Sequence, residues 1–361
     1  MIDFRYHLVS LIAVFLALAL GIVLGAGPLN EPLGDQLTGQ VEELREDRDR
    51  LRTELEVSEA EVEQRDQFID ELAAATLGSR LEGRAVATVV LPSANSDDVA
   101  DVRLRLEQAG ATVTGQVQVT EEWTNPDSAA FRSSLAGQIL GYLDPVPADG
   151  AEPGVILGTA LGQALTRSDA EGAPTADART LLELLADAGL VEVVDDPTQA
   201  ANATVVIAPR SEETGPEESM EPADLETREQ RLAEEVELVR GLAETGEGSV
   251  VAGSAATALD LVSAIRADST AVETVTTTDS VSEITGRLNV PMALAVAISG
   301  EVGQFGVGAD ATAAVPPAVY LSPPASPQPE ETADGAEGST EDTGDTGGDA
   351  GTTEDETADA A

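Results

Sequence analysis

Chemistry needs donors and nucleophiles at workable spacing, and this sequence offers few. It contains no Cys and a single His, His7, at the edge of an apolar run. Thiolate metal sites, a Cys nucleophile and disulfides are therefore excluded. A Ser-His-Asp triad is excluded for any folded domain, because the one imidazole lies beside that run. Ser254 follows Gly253, but no G-x-S-x-G frame surrounds it. The stretch GQFGVGAD, Gly303 to Asp310, is Gly-rich and follows an apolar segment expected as a strand. It lacks the Lys and Ser/Thr of a P-loop and opens no helix, so it reads as a strand turn. The adjacent Asp195 and Asp196 carry no signal among 67 acidic residues. Asn202 opens an N-A-T sequon, but at the start of an expected strand, and is read as coincidence. No catalytic or cofactor-binding residue is assigned, and the chain is expected not to be an enzyme.

The strongest patterns lie in the elements that would carry and position a folded domain. From Leu8 to Ala26 the chain has no ionisable side chain and is mostly Leu, Val, Ile, Ala and Phe. About 20 such residues span a bilayer core, whereas a cleaved signal has an apolar region of only ~7–15 residues before a small-x-small site. The reading is a permanent anchor over residues 8–27, after a short segment, 1–7. A signal cleaved after Gly25 and a buried core helix are the alternatives. Arg5 precedes the run, and Glu31, Asp35, Glu42 and Glu43 follow it, with no basic residue until Arg45. Positive charge stays inside. This places the N-terminus in the cytoplasm and the bulk of the chain outside it. Ala13, Ala17, Gly21 and Gly25 recur every fourth residue, a spacing that lets two membrane helices approach closely.

After the anchor, alternating steps of four and three link Leu37, Val41, Leu44, Arg48, Leu51, Leu55, Ser58, Val62, Arg65, Ile69 and Leu72. That is coiled-coil seam spacing, sustained for about five heptads over residues 36–75. Most positions between are charged or polar, with Val57 and Phe68 as the only large apolar exceptions. A helix with so narrow a stripe owes its stability to a partner. Arg48, Ser58 and Arg65 would weaken the seam while fixing its register. At ~1.5 Å per residue the stalk is ~60 Å long. A parallel homo-oligomer, most simply a dimer, is expected; a single helix folded back on the body is the alternative.

The 361-residue chain carries a formal net charge of −48, and its 19 basic residues are all Arg. Such a charge repels nucleic acid, and cations or a basic partner are the electrostatic expectation. Between about residue 83 and residue 320 the period changes. RAVATVVLP reads as a buried strand, and SDDVADVRLRLEQAGA as a helix with Ser96 as N-cap and Gly110 as its stop. TVTGQVQVT reads as a second strand, completing a βαβ unit. Helical patterns recur in SAAFRSSLAGQIL and ARTLLELLADAGL, then strands in VEVVD and ATVVIAP. An acidic loop at 211–224 precedes a helix from about Leu225, the strand GSVVAGS and the helix TALDLVSAIRA; VETVTTT and VPMALAVAIS close the core. The expected fold class is α/β, with a mainly parallel sheet covered on both faces. Residues 321–361 contain no Lys, Arg, aromatic or β-branched aliphatic residue and are expected to be a disordered acidic tail, with no ordered calcium cage.

The opening MIDFRYHLVSLIAVFLALALGIVLGAG, the charged stalk after it, the RAVATVVLPSANSDDVADVRLRLEQAGATVTGQVQVTEEW region and ANATVVIAP resemble the actinobacterial copper-transport protein B family, MctB. The resemblance covers roughly Met1 to Val319 and lies in order and wording rather than in a catalytic motif. It implies an envelope protein that limits intracellular copper, with copper as the transported ion. The residues assign no copper site: copper prefers Cys, Met and imidazole, and the chain has only His7, Met1, Met220 and Met292. Met292 reads as core and Met220 lies in the acidic loop. A non-enzymatic oligomeric scaffold without direct copper chemistry is the alternative.

Overall fold

The computed structural model describes residues 4–25, 30–211, 221–308, 310–322 and 324, with only the helical backbone for 30–38. The core of the acidic insertion, 212–220, and most of the expected tail lie outside the described residues; the tail's first residues do not stand apart, since Leu321 packs on the body and the Ser322 carbonyl accepts from Arg84 at 2.9 Å. Two long helices come first. Helix α1 (Phe4–Gly25) has no buried residue and is long and apolar enough to cross a bilayer. Helix α2 (Asn30–Leu77) runs unbroken for 48 residues. Pairs such as Arg52–Glu56 and Arg65–Glu61, both 3.1 Å, support its exposed middle. Each contributes only ~0.3–0.5 kcal/mol, so they solubilise the helix more than they hold it.

The end of α2 behaves differently. Ile69, Ala73 and Leu77 recur at i, i+4 and i+8, and with Leu81 they enter an apolar cluster of the body. There α2 meets α3 (Ser96–Gln108), and Arg105 of α3 pairs with Asp70.

The body alternates strands and helices around a seven-stranded sheet ordered β3-β2-β1-β4-β5-β6-β7. Strands β1 (Ala85–Val90), β2 (Thr112–Val119), β4 (Ala203–Ile207), β5 (Gly248–Ala252), β6 (Thr276–Thr278) and β7 (Gln304–Phe305) are parallel; the edge strand β3 (Val191–Asp195) is antiparallel to β2. Every residue of β1, β4 and β5 is buried, as a sheet covered on both faces requires. One face carries α3, the end of α2 and α10 (Ile284–Ile298). The other carries α4 (Ala129–Ile139), α5 (Pro153–Thr166), α6 (Ala176–Asp187), α7 (Pro222–Ala243) and α8 (Leu261–Ala267), with the short α9 (Ala271–Thr274) before β6. The α/β expectation and the mostly parallel sheet hold.

Several local expectations do not. The N-cap of α3 is Asn95 rather than Ser96; its side chain accepts from the Asp97 N–H at 2.9 Å. VPMALAVAIS is not a strand before the Gly-rich turn but most of α10, with Pro291 inside the helix. A helix buried this completely is apolar nearly all round, so periodicity cannot separate it from a strand. VETVTTT divides into α9 and the three-residue β6.

Helix α5 has no counterpart among the expected elements, yet it is the most deeply buried helix on its face. Gly154 and Gly158 line its contact with α7, where Gly241 faces back, and Gly162 meets Thr245 just past the end of α7. A Cβ at Gly158 would collide with the Leu238 carbonyl, and one at Gly241 would lie 2.6 Å from the Thr159 nitrogen. These glycines let two backbones touch, and a side chain there must push the helices apart. Gly158→Leu is expected to lower stability by ~1–3 kcal/mol or more in urea unfolding of the full chain. Gly137→Ala, on the exposed side of α4 with nothing within 4 Å of the added methyl, is expected to raise it by ~0.5–1 kcal/mol.

Candidate functional site

In a parallel α/β sheet the loops at the carboxyl ends of the strands form the natural binding edge. Here the segments after β4, β5, β6 and β7 enclose a cleft of about 310 Å³. Arg210 and Ser211 line it after β4, Gly253 and Ser254 after β5, Asp279 and Ser280 after β6, and Val307 and Gly308 after β7.

Its buried acidic group is already committed, while Glu283 stands exposed at its edge. Asp279 and Arg266, each 2 % exposed, pair at 2.8 Å. Asp279 also accepts from the Val307 N–H at 2.8 Å, the Gly308 N–H at 3.1 Å and Ser280 Oγ at 2.9 Å. Arg266 donates Nη2 to the Phe305 carbonyl at 2.8 Å and Nε to Thr277 Oγ1 at 3.1 Å. Gly306, at φ 129°, turns the chain past this pair, and a Cβ there would land on the Asp279 carboxylate. Burial alone would raise the Asp279 carboxyl, but the hydrogen bonds from Arg266, Val307 and Ser280 outweigh it and hold it below the ordinary aspartate value.

Two further carboxylates are saturated in the same way. Asp260 accepts from the Ala256 and Thr257 N–H groups, both at 2.8 Å, and from Ser254 and Ser211 hydroxyls at 3.1 and 2.9 Å. Ser254 Oγ, donating to Asp260 and accepting from the Ala256 N–H at 3.3 Å, helps to fix the loop after β5. Asp98, on the first turn of α3, accepts from Arg210 at 2.7 and 2.9 Å and from Arg287 at 2.8 Å. The Asp98 pairs join residues more than a hundred positions apart, which is why sequence reasoning missed them.

The cleft therefore offers hydroxyls, hard oxygen and guanidinium groups. Among its described lining residues there is no thiolate, thioether or imidazole, the donors copper prefers. Among the described residues no group of three or more His, Cys, Asp or Glu side chains is placed to hold a metal ion. His7 is exposed on α1, and Met292 packs into the core from α10. Met1 and Met220 lie outside the described residues. Asp195 ends β3 and accepts from Arg103 at 3.0 Å. The Asn202 carboxamide accepts from the Ala85 N–H at 2.8 Å and donates to Glu247 at 3.0 Å, joining three strand starts.

The faces singled out by sequence stand exposed on the two long helices. Ala13, Ala17, Gly21 and Gly25 lie on α1, and a methyl added at Gly21 or Gly25 would meet nothing within 4 Å. Val41, Leu44, Leu51, Leu55, Val62 and Leu72 are each 45–67 % exposed on α2. Ile69 packs partly against the body, and of Leu37 only the helical backbone is described. Arg48, Ser58 and Arg65 are exposed on the same helix.

Asp279→Asn removes the negative member of a buried pair and strands Arg266. It is expected to cost ~3–5 kcal/mol at neutral pH. A carboxyl held low stabilises the fold above the ordinary aspartate range and loses that contribution as pH falls through its folded value. The gap between Asp279→Asn and the unaltered chain should therefore narrow as pH drops below about 4, read from urea midpoints across pH.

Residues 1–316 match the model of a family described as "Copper transport outer membrane protein, MctB". The chain is 32% identical over 316 residues to proteins named "Copper transporter MctB" from Mycobacterium tuberculosis and Mycobacterium bovis, covering 85% of this chain and 97% of theirs. It is also 32% identical over 328 residues to the protein of that name from Mycobacterium leprae, covering 88% of this chain and 100% of the relative. The anchor-like helix, the charged helix behind it and the α/β body all fall within the matched span, and the chain belongs to the MctB family.

Proposed function

We propose that the protein is a membrane-anchored envelope component that keeps cellular copper low, working as a parallel homo-oligomer and not as an enzyme. The observation that carries this reading is the similarity to proteins named copper transporters over 97–100% of their length. In it, α1 is the anchor. Arg5 on one side and the acids after the helix on the other put the N-terminus in the cytoplasm and the body beyond the membrane. The uncovered seam of α2 and the small-residue face of α1 are buried against a second copy. Tethering in one membrane makes the pairing parallel.

Copper in this reading is cargo or a regulated ion, not a bound cofactor. The chain has no Cys and one His, so tight copper coordination by its own side chains has little to draw on. The oligomer would act by organising a transport assembly or by handling cations through its acidic surface. The missing soft ligands equally favour a scaffold that leaves copper unaffected, and the two readings separate in cells. Deletion is expected to raise cell-associated copper, measured by elemental analysis under mild copper load, and the full-length chain is expected to reverse it. A chain with Leu51, Leu55 and Val62 all replaced by Asp, which breaks the seam without touching the body, is expected to fail to reverse it. Unchanged copper on deletion would leave only the scaffold.

A further inference from the structure

A second, smaller cleft of about 200 Å³ lies where the strand order reverses, between β1 and β4. Pro92 and Ser93 enter it from the end of β1 and Pro209 from the end of β4, while α7 supplies Arg228, Arg231 and Glu235. Such switch points are where open α/β sheets bind ligands. We propose that this cleft binds a small oxyanion, a carboxylate or a phosphate-type group, through the guanidinium groups of Arg228 and Arg231.

Unpaired polar atoms point to a missing partner. Arg228 Nε, Arg231 Nε and Glu235 Oε2 are buried and have no hydrogen-bond partner among the described residues. Buried polar groups in a folded protein are nearly always paired, so three at one cleft mark a place where a partner belongs. Glu235 is only 6 % exposed. Arg228 is anchored by Glu235 Oε1 at 3.0 Å and the Leu259 carbonyl at 3.1 Å, which fixes its plane and leaves Nε over. Arg231 makes no hydrogen bond or ion pair to any described residue. Every other arginine of the body donates to a carbonyl or pairs with a carboxylate, for example Arg132 with Glu234 at 2.7 Å and Arg240 with Glu152 at 3.8 Å. In a chain with 67 acidic and 19 basic residues, a guanidinium whose nearest carboxylate, Glu235, is within electrostatic reach but not hydrogen-bonded to it stands out.

The surroundings suit an anion. Burial raises the Glu235 carboxyl, while the nearby Arg228 and Arg231 guanidinium groups pull it the other way. Glu121 and Thr124 complete the polar lining; Glu121 sits exposed at the rim, where water screens it. Ser93 holds a left-handed backbone, φ 63°, that a non-glycine residue adopts at a cost, and such strain gathers at functional positions. The volume admits an ion-sized group rather than a nucleotide. The chain's net charge does not forbid this, because its distant acids are screened beyond ~8–10 Å at ordinary ionic strength.

The test is calorimetric titration of the full chain in detergent with inorganic phosphate, sulfate and succinate, each against sodium chloride at matched ionic strength. Arg231→Gln removes no hydrogen bond or ion pair to a described residue, only the electrostatic pull on Glu235, and should fold like the unaltered chain; Arg179→Gln, at a different surface, is the control. Saturable binding is expected for the unaltered chain and Arg179→Gln, weakened at least about tenfold in Arg231→Gln. Phosphate or sulfate alone would identify a tetrahedral group, and succinate alone a carboxylate. Should Arg231→Gln not fold, the unfolding midpoint of the unaltered chain decides, rising with the bound anion and not with chloride. No saturation with any probe and no such rise, or equal affinity in Arg231→Gln, would overturn the proposal.

Discussion

The last turns of α2 are the contact on which the rest of the structure depends. Ile69, Ala73 and Leu77, with Leu81 after them, lie in the same apolar layer as α3 and α10. The long helix is therefore part of the core on one face of the sheet and not a tether attached to it. Removing it would expose that face, since a parallel sheet has to be covered on both sides. The stripe that enters the body also departs from the coiled-coil seam. From Ile69 the seam continues to Leu72, which is 46 % exposed, while the body takes Ala73, which is fully buried. One helix thus presents one stripe to its own domain and another, over Val41 to Val62, to whatever lies beside it.

The opposite face is built by a different device. Glycines four residues apart on α5 bring its backbone against α7, and Thr159 Oγ1 reaches the Gly241 carbonyl at 3.4 Å across that contact. At the carboxyl edge, paired charges take the place of apolar packing. Asp98, Asp260 and Asp279 each gather donors from separate loops and so fix the ends of four strands relative to one another. A buried pair of this kind adds little net stability over apolar packing, but it tolerates no loss of one partner.

The strand–helix–strand opening, the parallel sheet, the apolar first helix and the heptad spacing of the second are legible in the sequence because each rests on local periodicity. What is not legible follows from burial and distance. Helix α5 is so fully enclosed that its Gly- and Leu-rich sequence shows no polar face, and α10 hides behind Pro291 and an all-round apolar pattern. The four-residue spacing of small residues stands out in α1, where nothing in a single chain packs on it. The same spacing at Gly154, Gly158 and Gly162, where the fold uses it, has no helical periodicity around it to draw attention. The pairs of Asp98 with Arg210 and Arg287, and the cleft at Arg231, depend on chain positions far apart and leave no sequence signal. The family is readable in the order of its segments, although no motif for copper chemistry accompanies it.

The proposed oligomer requires the uncovered seam of α2 to meet its counterpart in a second copy, and the absence of native Cys makes that directly measurable. Leu55→Cys places the only thiol on the seam, and Ala60→Cys places it on the far side of the same helix. After mild oxidation of membranes carrying each full-length variant, in-register pairing predicts a disulfide-linked dimer for Leu55→Cys and little for Ala60→Cys. Equal cross-linking at both positions, or none at Leu55→Cys, would contradict in-register pairing and leave the stalk as a single helix.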